Sequence, residues 1–432
     1  MNFSITKGTL FVKERISVLY GKPMIQRYEQ VEIFTEAEYA RRQALIRKIM
    51  EEEDVDLLLV LDAPQDAFDQ WLTGQRLLGE IIVPKNAEIT GVFLSETNPA
   101  LSLLPQSETP DFRRYLYRQP GPIQAHGVRF RDPMDAQSFA AFIGRYTPRT
   151  IGLVHPEALR FSLREALKEQ LPSAEWKDIT VAASLRKSVK SPEEIAAIAI
   201  ANRIHERVML AMPQVLRQGR TVFNIQNEIT WMLHAMGSGN TLVHHWIIMP
   251  GDQTAESDPG PSKVKYPGYT LKAGDRVMVL LESNGPGGHH VAIARHFTLG
   301  PVHETYRKIV DVAARSQAFA ASMLRPGENL RHIADETRAF IERCGYVTCD
   351  QNFMHGLGLT YFEPYSLNHY SESLPLPENA FLHAHPIVRT FLTNETGRKY
   401  RYESFVLDTF LVRPEGGLRT TSLPHDILQI EP

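Results

Sequence analysis

The amino-acid sequence predicts an α/β protein of two domains, the second of which carries an internal duplication. Its 432 residues are enough for two domains of ordinary size, each with its own core. Predicted strands and helices alternate in the first half, which is typical of an α/β domain. In the second half a helical segment that follows Leu216 recurs after Leu324, which predicts two similar units within one α+β domain.

The composition excludes several classes of function. A hydrophobic share of 43% with 22% charged residues is that of a soluble globular protein, and a net charge of −3 favours neither nucleic acid nor an anionic membrane as partner. The first residues lack the pattern of a signal peptide, and no apolar run is long enough to span a membrane. Two cysteines, Cys344 and Cys349, are too few for a disulfide framework. We therefore expect a cytoplasmic protein.

The first half is predicted to be a packing domain. Thr35 is a suitable N-cap for a helix that carries Glu38 at the capping-box position. The other predicted elements are strands at Val55–Leu61, Ile89–Leu94, Ala100–Leu104 and Thr150–Val154 and a helix near Pro133–Tyr146. No catalytic spacing occurs in this half, so we expect it to serve packing and dimerisation.

A domain boundary is predicted between Ser184 and Ser191, which gives domains of residues 1–184 and 185–432. Pro192 suits the first position of a helix, where its missing N–H costs nothing. Glu193 and Glu194 follow it and complement the positive end of the helix dipole. This segment therefore predicts a linker followed by the first helix of the second domain.

The second domain repeats a helical unit. Leu216–Gly219 is matched by Leu324–Gly327, and Gly237 is matched by Gly345 at the same offset along the chain. Between the glycines of each copy, apolar residues recur at helical spacing, so each copy predicts a helix that ends at a glycine. Two such units imply a domain with internal pseudo-twofold symmetry and a site between its halves.

A β-hairpin is predicted between the two copies. Apolar runs at Val277–Leu281 and Val291–Phe297 suit its strands. The glycine- and proline-rich Asn284–Gly288 segment between them suits only a turn. His290 lies at the start of the return strand.

Around this hairpin the chain resembles the metallopeptidases of the pita-bread fold, which are methionine aminopeptidase, prolidase and aminopeptidase P, and their metal-free relative creatinase. The matching hairpin residues are Gly274, Asp275, Val277, Gly288, Arg295, Phe297 and Gly300. Further matching segments are Leu185–Ile195, Met354–Leu359, Glu363-Pro364 and Asp408–Val412. The resemblance implies a creatinase-like α/β N-terminal domain and a pita-bread C-terminal domain.

The resemblance also implies where the metal ligands of the family would fall. Its two aspartates fall on Leu281 and Ala292, and its last glutamate falls on Leu407. None of these side chains can bind a cation. His355 matches the ligating histidine, and His385 replaces a glutamate. We therefore expect no dinuclear metal centre and no cofactor.

Two alternatives remain open at this position. Imidazoles alone can hold zinc, so a single-metal site could be built from His290, His355 and His385. Glu282 and Glu403 lie near ligand positions but out of register. A shift of one residue along a strand turns Glu282 to the opposite face from Leu281, so we expect neither glutamate to replace a ligand.

Creatinase is the family's precedent for hydrolysis without metal, and its general base falls on Asp258. The groups that hold a guanidinium in creatinase are replaced by Ala294 and His385, so creatine is not expected as substrate. The expected catalytic residues are His355, His385, Asp258 and His290. The expected substrate-binding residues are Arg295, Glu363, Glu282 and His245. A bracing role for Arg295 within the hairpin is the alternative to substrate binding.

We therefore expect a metal-independent hydrolase or lyase that acts on a small polar, acidic molecule at a C–N or related bond. A non-catalytic binding protein of the same fold is the first alternative. The second is an Xaa-Pro dipeptidase or aminopeptidase with altered metal ligands. Retained inward-facing histidines favour an enzyme, whereas a pocket lined by leucine and alanine favours a binding protein.

The sequence also predicts a homodimer, because relatives with this kind of N-terminal domain use it to assemble around the active site. Light scattering at micromolar concentration should give twice the chain mass of 49.0 kDa. A mass of one chain at that concentration would contradict the prediction.

Overall fold

The computed structural model describes residues 33–61, 67–74, 79–92, 94, 126–131, 134–238, 244–248, 267–348, 353–393, 397 and 399–431. These form two compact units, Phe34–Lys187 and Ser188–Pro432. The predicted strand at Ala100–Leu104 lies outside the described residues. Within the described ranges, no helix combines the length and the apolar character needed to cross a membrane.

The first unit is a mixed β-sheet with helices, as the α/β pattern predicts. Its helices are α1 (Glu36–Glu52), α2 (Phe68–Thr73), α3 (Ala136–Gly144), α4 (Phe161–Gln170) and α5 (Thr180–Lys187). Its strands are β1 (Leu57–Val60), β2 (Glu80–Pro84), β3 (Ile89–Val92), β4 (Val128–Phe130), β5 (Thr150–Val154) and β6 (Glu175–Asp178). The strands lie in the order β4-β3-β2-β1-β5-β6.

Local signals in the sequence place these elements. Thr35 caps α1 by accepting a hydrogen bond of 3.2 Å from the amide of Glu38. Asp135 caps α3 in the same way. The apolar strands β1 and β5 pair in parallel within the sheet, and Phe139 and Leu163 of the helices pack against them.

The second unit contains four described helices and a set of mostly antiparallel strands. The helices are α6 (Pro192–Val215), α7 (Val222–Ala235), α8 (Glu304–Ser322) and α9 (Leu330–Arg343). The strands are β7 (His244–Ile248), β8 (Arg276–Asn284), β9 (His290–Leu299), β10 (Met354–Gly356), β11 (Phe381–Ala384), β12 (Val388–Thr393), β13 (Lys399–Ser404), β14 (Asp408–Leu411), β15 (Leu418–Arg419) and β16 (Leu428–Ile430). They form sheets in the orders β16-β9-β8-β7, β10-β11-β14-β15 and β12-β13.

The start of the second unit follows the predicted helix signals. Ser191 and Glu194 form a complete capping box, with Pro192 in the first turn of α6. The predicted linker is shorter than expected, because α5 continues to Lys187. Few residues therefore separate the last helix of the first unit from the cap of α6.

The duplication is visible in the helices. Helices α7 and α9 have the same length, and both ends of α9 keep the offset from α7 that the sequence repeat predicts. Thr221 and Asn329 cap the two helices at equivalent positions. Gly237 and Gly345 follow the C-caps with φ of +100° and +82°, a conformation that favours glycine. The internal repeat and the mixed α/β fold are as the sequence predicts.

The hairpin of β8 and β9 separates two environments. Side chains alternate between faces along each strand, and Leu281 pairs with Ile293 while Glu282 pairs with Ala292. The outer face, which carries Leu281 and Ile293, packs in a core cluster with α6 and α7. The inner face carries Met278, Leu280, Ala292 and Ala294, which pack with Ile387, Phe405 and Leu407.

Two buried histidines in this unit make its stability depend on pH. His205 contacts the carbonyl of Ala201 at 2.8 Å, and His296 lies between the hydroxyl of Tyr306 and the carbonyl of Phe405, each at 2.8 Å. Burial lowers the pKa of His205 to about 4 and that of His296 to about 3. Both imidazoles are therefore neutral in the folded protein at neutral pH.

We expect the free energy of unfolding to fall as the pH is lowered from about 6.5 towards about 4, by about 1 kcal/mol per pH unit for each histidine. Over that range the unfolded chain binds protons that the folded chain does not, so acid favours unfolding. Urea denaturation at several pH values should give a smaller pH slope for His296→Gln than for wild type. The exposed His332→Gln is the control, and equal slopes for wild type and His296→Gln would contradict the assignment.

Candidate functional site

The inner face of the hairpin is apolar at positions where the resemblance places metal ligands. Ala292 and Leu407 pack there against Leu280 and Phe405, and the amide of Ala294 donates a 3.0 Å hydrogen bond to the carbonyl of Leu407. Leu281 lies on the outer face, within the helix-packed core. Alkyl side chains supply no donor atom, so Ala292 and Leu407 do not fit the carboxylate ligands of a dinuclear metal centre.

Three histidines converge on two neighbouring strands. His355 of β10 lies directly opposite His383 of β11 in the antiparallel ladder. His385 follows two residues later on the same face, and its amide extends the ladder by donating to the carbonyl of Phe353 at 2.9 Å. The ring centroids of His355 and His383 are 3.5 Å apart, and those of His383 and His385 are 4.7 Å apart. We call these three residues the histidine cluster.

Burial keeps the histidine cluster neutral. It lowers the pKa of His355 to about 3 and that of His385 to about 4, and it lowers the pKa of His383 well below the usual range. A positive charge on His355 or His385 would also oppose protonation of His383 between them. Acid–base titration of His355 and His385 near neutral pH, which the sequence analysis assumed, is therefore not supported by their surroundings.

Several ring nitrogens of the histidine cluster lack a hydrogen-bond partner among the described residues. Neither ring nitrogen of His383, and not Nδ1 of His385, has a hydrogen-bond partner among the described residues. Nδ1 of His355 lies 3.2 Å from the carbonyl of Gly356. A carbonyl only accepts, so this contact places the proton of the neutral ring on Nδ1 and leaves a lone pair on Nε2.

Glu282 and Tyr361 join the cluster to the inner face of the hairpin. Glu282 is buried on the inner face, opposite Ala292, and is hydrogen-bonded to the hydroxyl of Tyr361. The ring of Tyr361 is 5.2 Å from that of His355. Burial, followed by the Glu282 charge, raises the pKa of Tyr361, so its hydroxyl remains a donor.

The orientation of Glu282 corrects the sequence analysis. Glu282 does point away from Leu281, as expected, but the site lies on the side of Glu282. The resemblance placed a metal-ligating aspartate of the family at Leu281, which would require Leu281 to face the site. The register of the hairpin instead turns Leu281 towards the helices.

His290 lies beside this group. Its amide donates to the carbonyl of Gly358 at 2.7 Å, and its Nδ1 is 3.3 Å from the same oxygen. Its ring is 6.4 Å from that of Tyr361. The structure thus brings four predicted site residues towards one region: His290, His355, His385 and Glu282.

Arg295 is held within the protein. Its guanidinium forms a buried ion pair with Asp408 at 2.6 Å and donates to the carbonyls of Leu407 and Leu423 at 3.1 and 2.9 Å. It lies on the outer face with Ile293 and Phe297. These contacts favour the bracing role over substrate binding.

Glu363 is also engaged by the protein. It forms a buried ion pair with Lys190, in which each side chain is 1% exposed. A Cβ at Gly358 would overlap the Glu363 carboxylate, so a glycine is required there for the carboxylate to keep its place. The surroundings of Glu363 therefore indicate a structural role.

Two predicted site residues cannot be placed. Asp258 lies outside the described residues. The backbone of His245 lies in β7 opposite Leu281, but its side chain is outside the described part of the structure. Both assignments stay predictions.

Sequence reasoning did not assign two members of the site, of which it ranked His383 below His385 and overlooked Tyr361. His383 shares a strand face with His385, and the His-x-His spacing was a signal, but only the family position was given weight. Tyr361 carried no signal, because its contact with Glu282 joins segments that are far apart in the chain.

Comparison with known proteins identifies the family. The pattern of metallopeptidase family M24 matches residues 196–414, which is half of the chain. The chain belongs to metallopeptidase family M24. The pita-bread fold that the resemblance implied is therefore correct.

Individual relatives are distant. The Xaa-Pro dipeptidase of Pyrococcus furiosus is 22% identical over 272 residues, 62% of this chain and 73% of that protein. The probable dipeptidase PepE of Mycobacterium tuberculosis is 22% identical over 250 residues, and the match spans 56% of this chain and 61% of that protein.

Solved structures of similar fold cover nearly the whole chain. The X-Pro aminopeptidase of Thermotoga maritima has a TM-score of 0.71 at 17% identity, covering 90% of this chain and 99% of that one. Dipeptidase PepE of Mycobacterium ulcerans has a TM-score of 0.67 at 21% identity, covering 92% and 99%. These likenesses show the fold.

A stability measurement separates a structural Glu363 from a substrate-binding one. Removing one partner of a buried ion pair leaves the other charge uncompensated, so Glu363→Gln should lower the free energy of unfolding by about 3–5 kcal/mol. The double variant Lys190→Met/Glu363→Leu should recover most of that loss. Chemical denaturation measures both, and a Glu363→Gln protein as stable as wild type would contradict the structural role.

Proposed function

We propose that this M24 protein hydrolyses a C–N bond in a small polar molecule, without the dinuclear metal centre implied by its resemblance to the metallopeptidases. One observation carries the proposal: a carboxylate, a phenol and three imidazoles lie together beside an apolar wall, at positions where the resemblance places metal ligands. Glu282, Tyr361 and the histidine cluster are the polar groups. Ala292 and Leu407 belong to the apolar wall.

Glu282 is the proposed general base. Its carboxylate is buried and oriented by the hydroxyl of Tyr361, which stays protonated because its pKa is raised. A carboxylate fixed in this way can take a proton from a water molecule as the water attacks a carbonyl carbon. Leu280 and Phe405 on the apolar wall limit the access of bulk water, which strengthens charge interactions at the site.

The imidazoles are assigned to substrate polarisation. Neutral His355 and His385 cannot act as strong bases at pH 7, but neutral rings still donate or accept hydrogen bonds. The ring of His290 is 6.4 Å from that of Tyr361, and His290 is the further candidate for protonating the leaving amine. Asp258 keeps its predicted role as an alternative base.

The proposed substrate is polar but need not be acidic. The expectation of an acidic substrate depended on Arg295, whose guanidinium is paired with Asp408. The named relatives favour Xaa-Pro dipeptides as a second candidate class. Phe362, exposed and with its ring 4.1 Å from that of His355, offers an apolar surface for a prolyl ring.

The test is an assay for released amine over Xaa-Pro dipeptides and small amides, ureido acids and guanidino acids. With a substrate in hand, Glu282→Gln should lower kcat by about 10²–10⁴-fold, because it removes the base while keeping the shape of the side chain. The exposed His332→Ala is the control variant and should match wild type.

Different results point to different conclusions. A loss in Asp258→Asn with none in Glu282→Gln would move the base to Asp258. Wild-type turnover in both would overturn the carboxylate mechanism. If no compound is cleaved but one raises the melting temperature, the non-catalytic binding function replaces hydrolysis.

A further inference from the structure

We infer that His355, His383 and His385 form a binding site for a single first-row transition metal ion, with Zn²⁺ the best match. The inference goes beyond the proposed hydrolysis, because the ion would bind whether or not the protein turns over a substrate. The sequence analysis expected a protein without metal, and the inference replaces that expectation with one bound ion per chain. The sequence left a related single-metal site open, in which His290 rather than His383 was the third ligand.

The geometry of the strands brings the donor atoms together. His355 and His383 are a directly opposed pair, and His385 is the next residue on the same face. One ring nitrogen from each lies within 4.8 Å of the others. Zinc–nitrogen bonds of about 2.0–2.1 Å in a tetrahedral site place nitrogens about 3.3 Å apart, so modest ring rotations close the site.

The cost of leaving these nitrogens without partners favours an ion. Both nitrogens of His383 and Nδ1 of His385 are buried and lack a hydrogen-bond partner among the described residues. A buried polar atom without a partner typically costs about 1–3 kcal/mol. His383 is fully buried, so bulk water does not replace the missing partner. A metal ion would provide a partner for one nitrogen of each ring.

The donor set selects the class of metal. Imidazole nitrogens suit Zn, Cu, Fe and Ni, whereas Mg²⁺ and Ca²⁺ require oxygen ligands. Three protein ligands leave a fourth position for water or for a substrate atom. A second ion is not expected, because Ala292 and Leu407 are apolar where the family has carboxylates.

Neighbouring groups hold the cluster in place. Gln317 donates to the carbonyls of Ala384 and Val406 at 2.8 and 3.2 Å, which fixes the strand between His383 and His385. Phe405 lies 5.2 Å from His385 between ring centroids and covers it on the apolar side. Metal-binding histidines typically donate their other ring N–H to a carbonyl or carboxylate, as Nδ1 of His355 does to the carbonyl of Gly356.

The experiment uses the full chain without a histidine tag, stripped with a chelator and then dialysed. Isothermal titration with Zn²⁺ should show one site per chain, and Co²⁺ should give the visible absorption of a tetrahedral complex. His383→Ala should weaken Zn²⁺ binding by about 100-fold or more, since loss of a ligand exceeds the 10–100-fold cost of losing a surrounding contact. His383→Gln, with circular dichroism to confirm folding, serves if His383→Ala does not fold.

Matched variants identify the ligands. The exposed His332→Ala should bind Zn²⁺ like wild type. His290→Ala should also retain binding, and its loss of the site would restore the ligand set considered from the sequence and overturn this one. Two ions per chain, or binding in which His383→Ala and His383→Gln equal wild type, would overturn the inference. Because these readouts need no substrate, a failure of the hydrolysis proposal would leave them unchanged.

Discussion

The candidate site depends on the pairing register of one β-hairpin. Side chains alternate along a strand, so the pairing of Glu282 with Ala292 decides which residues of β8 and β9 face inwards. That register turns Leu281 to the helices and Glu282 to the histidines. A shift of one residue would bury the carboxylate among the apolar side chains of the outer core and turn a leucine towards the site. The chemistry of the site therefore follows from a backbone hydrogen-bond pattern.

The inner region combines an apolar wall with a polar one. Where the M24 resemblance implies carboxylates, Ala292 and Leu407 pack into a small core with Phe405 and Ile387. Because alanine and leucine are uncharged, these positions carry no buried carboxylate that a metal ion would have to neutralise. The histidines opposite keep their nitrogens, and burial keeps them neutral.

Buried ion pairs brace the frame around this region. Arg295 and Asp408 join β9 to β14, and His425 contacts the same carboxylate at 2.6 Å. Lys190 and Glu363 join the entry to α6 with the segment after β10. Burial opposes the charge of Asp408, and the hydrogen bond from His425 and the two nearby arginines outweigh it, so the pKa of Asp408 is lowered. Charged residues near a site are therefore poor evidence of substrate binding until their partners are known.

The sequence by itself determined the fold, the repeat and part of the site. The helix cap at Thr35, the helix start at Pro192, the glycines after α7 and α9, and the hairpin turn are local signals, and each appears in the structure. The resemblance also pointed to two members of the histidine cluster, because His355 and His385 lie at positions where the family has metal ligands.

Only the tertiary structure decided which residues face one another. The contact of Tyr361 with Glu282, the opposition of His355 and His383, and the pairing of Arg295 with Asp408 join segments far apart in the chain. Local periodicity carries no information about such pairs, because strand register and burial are set by the packing of the whole domain. For the same reason the sequence could not decide between substrate binding and bracing for Arg295, and it gave His383 too little weight.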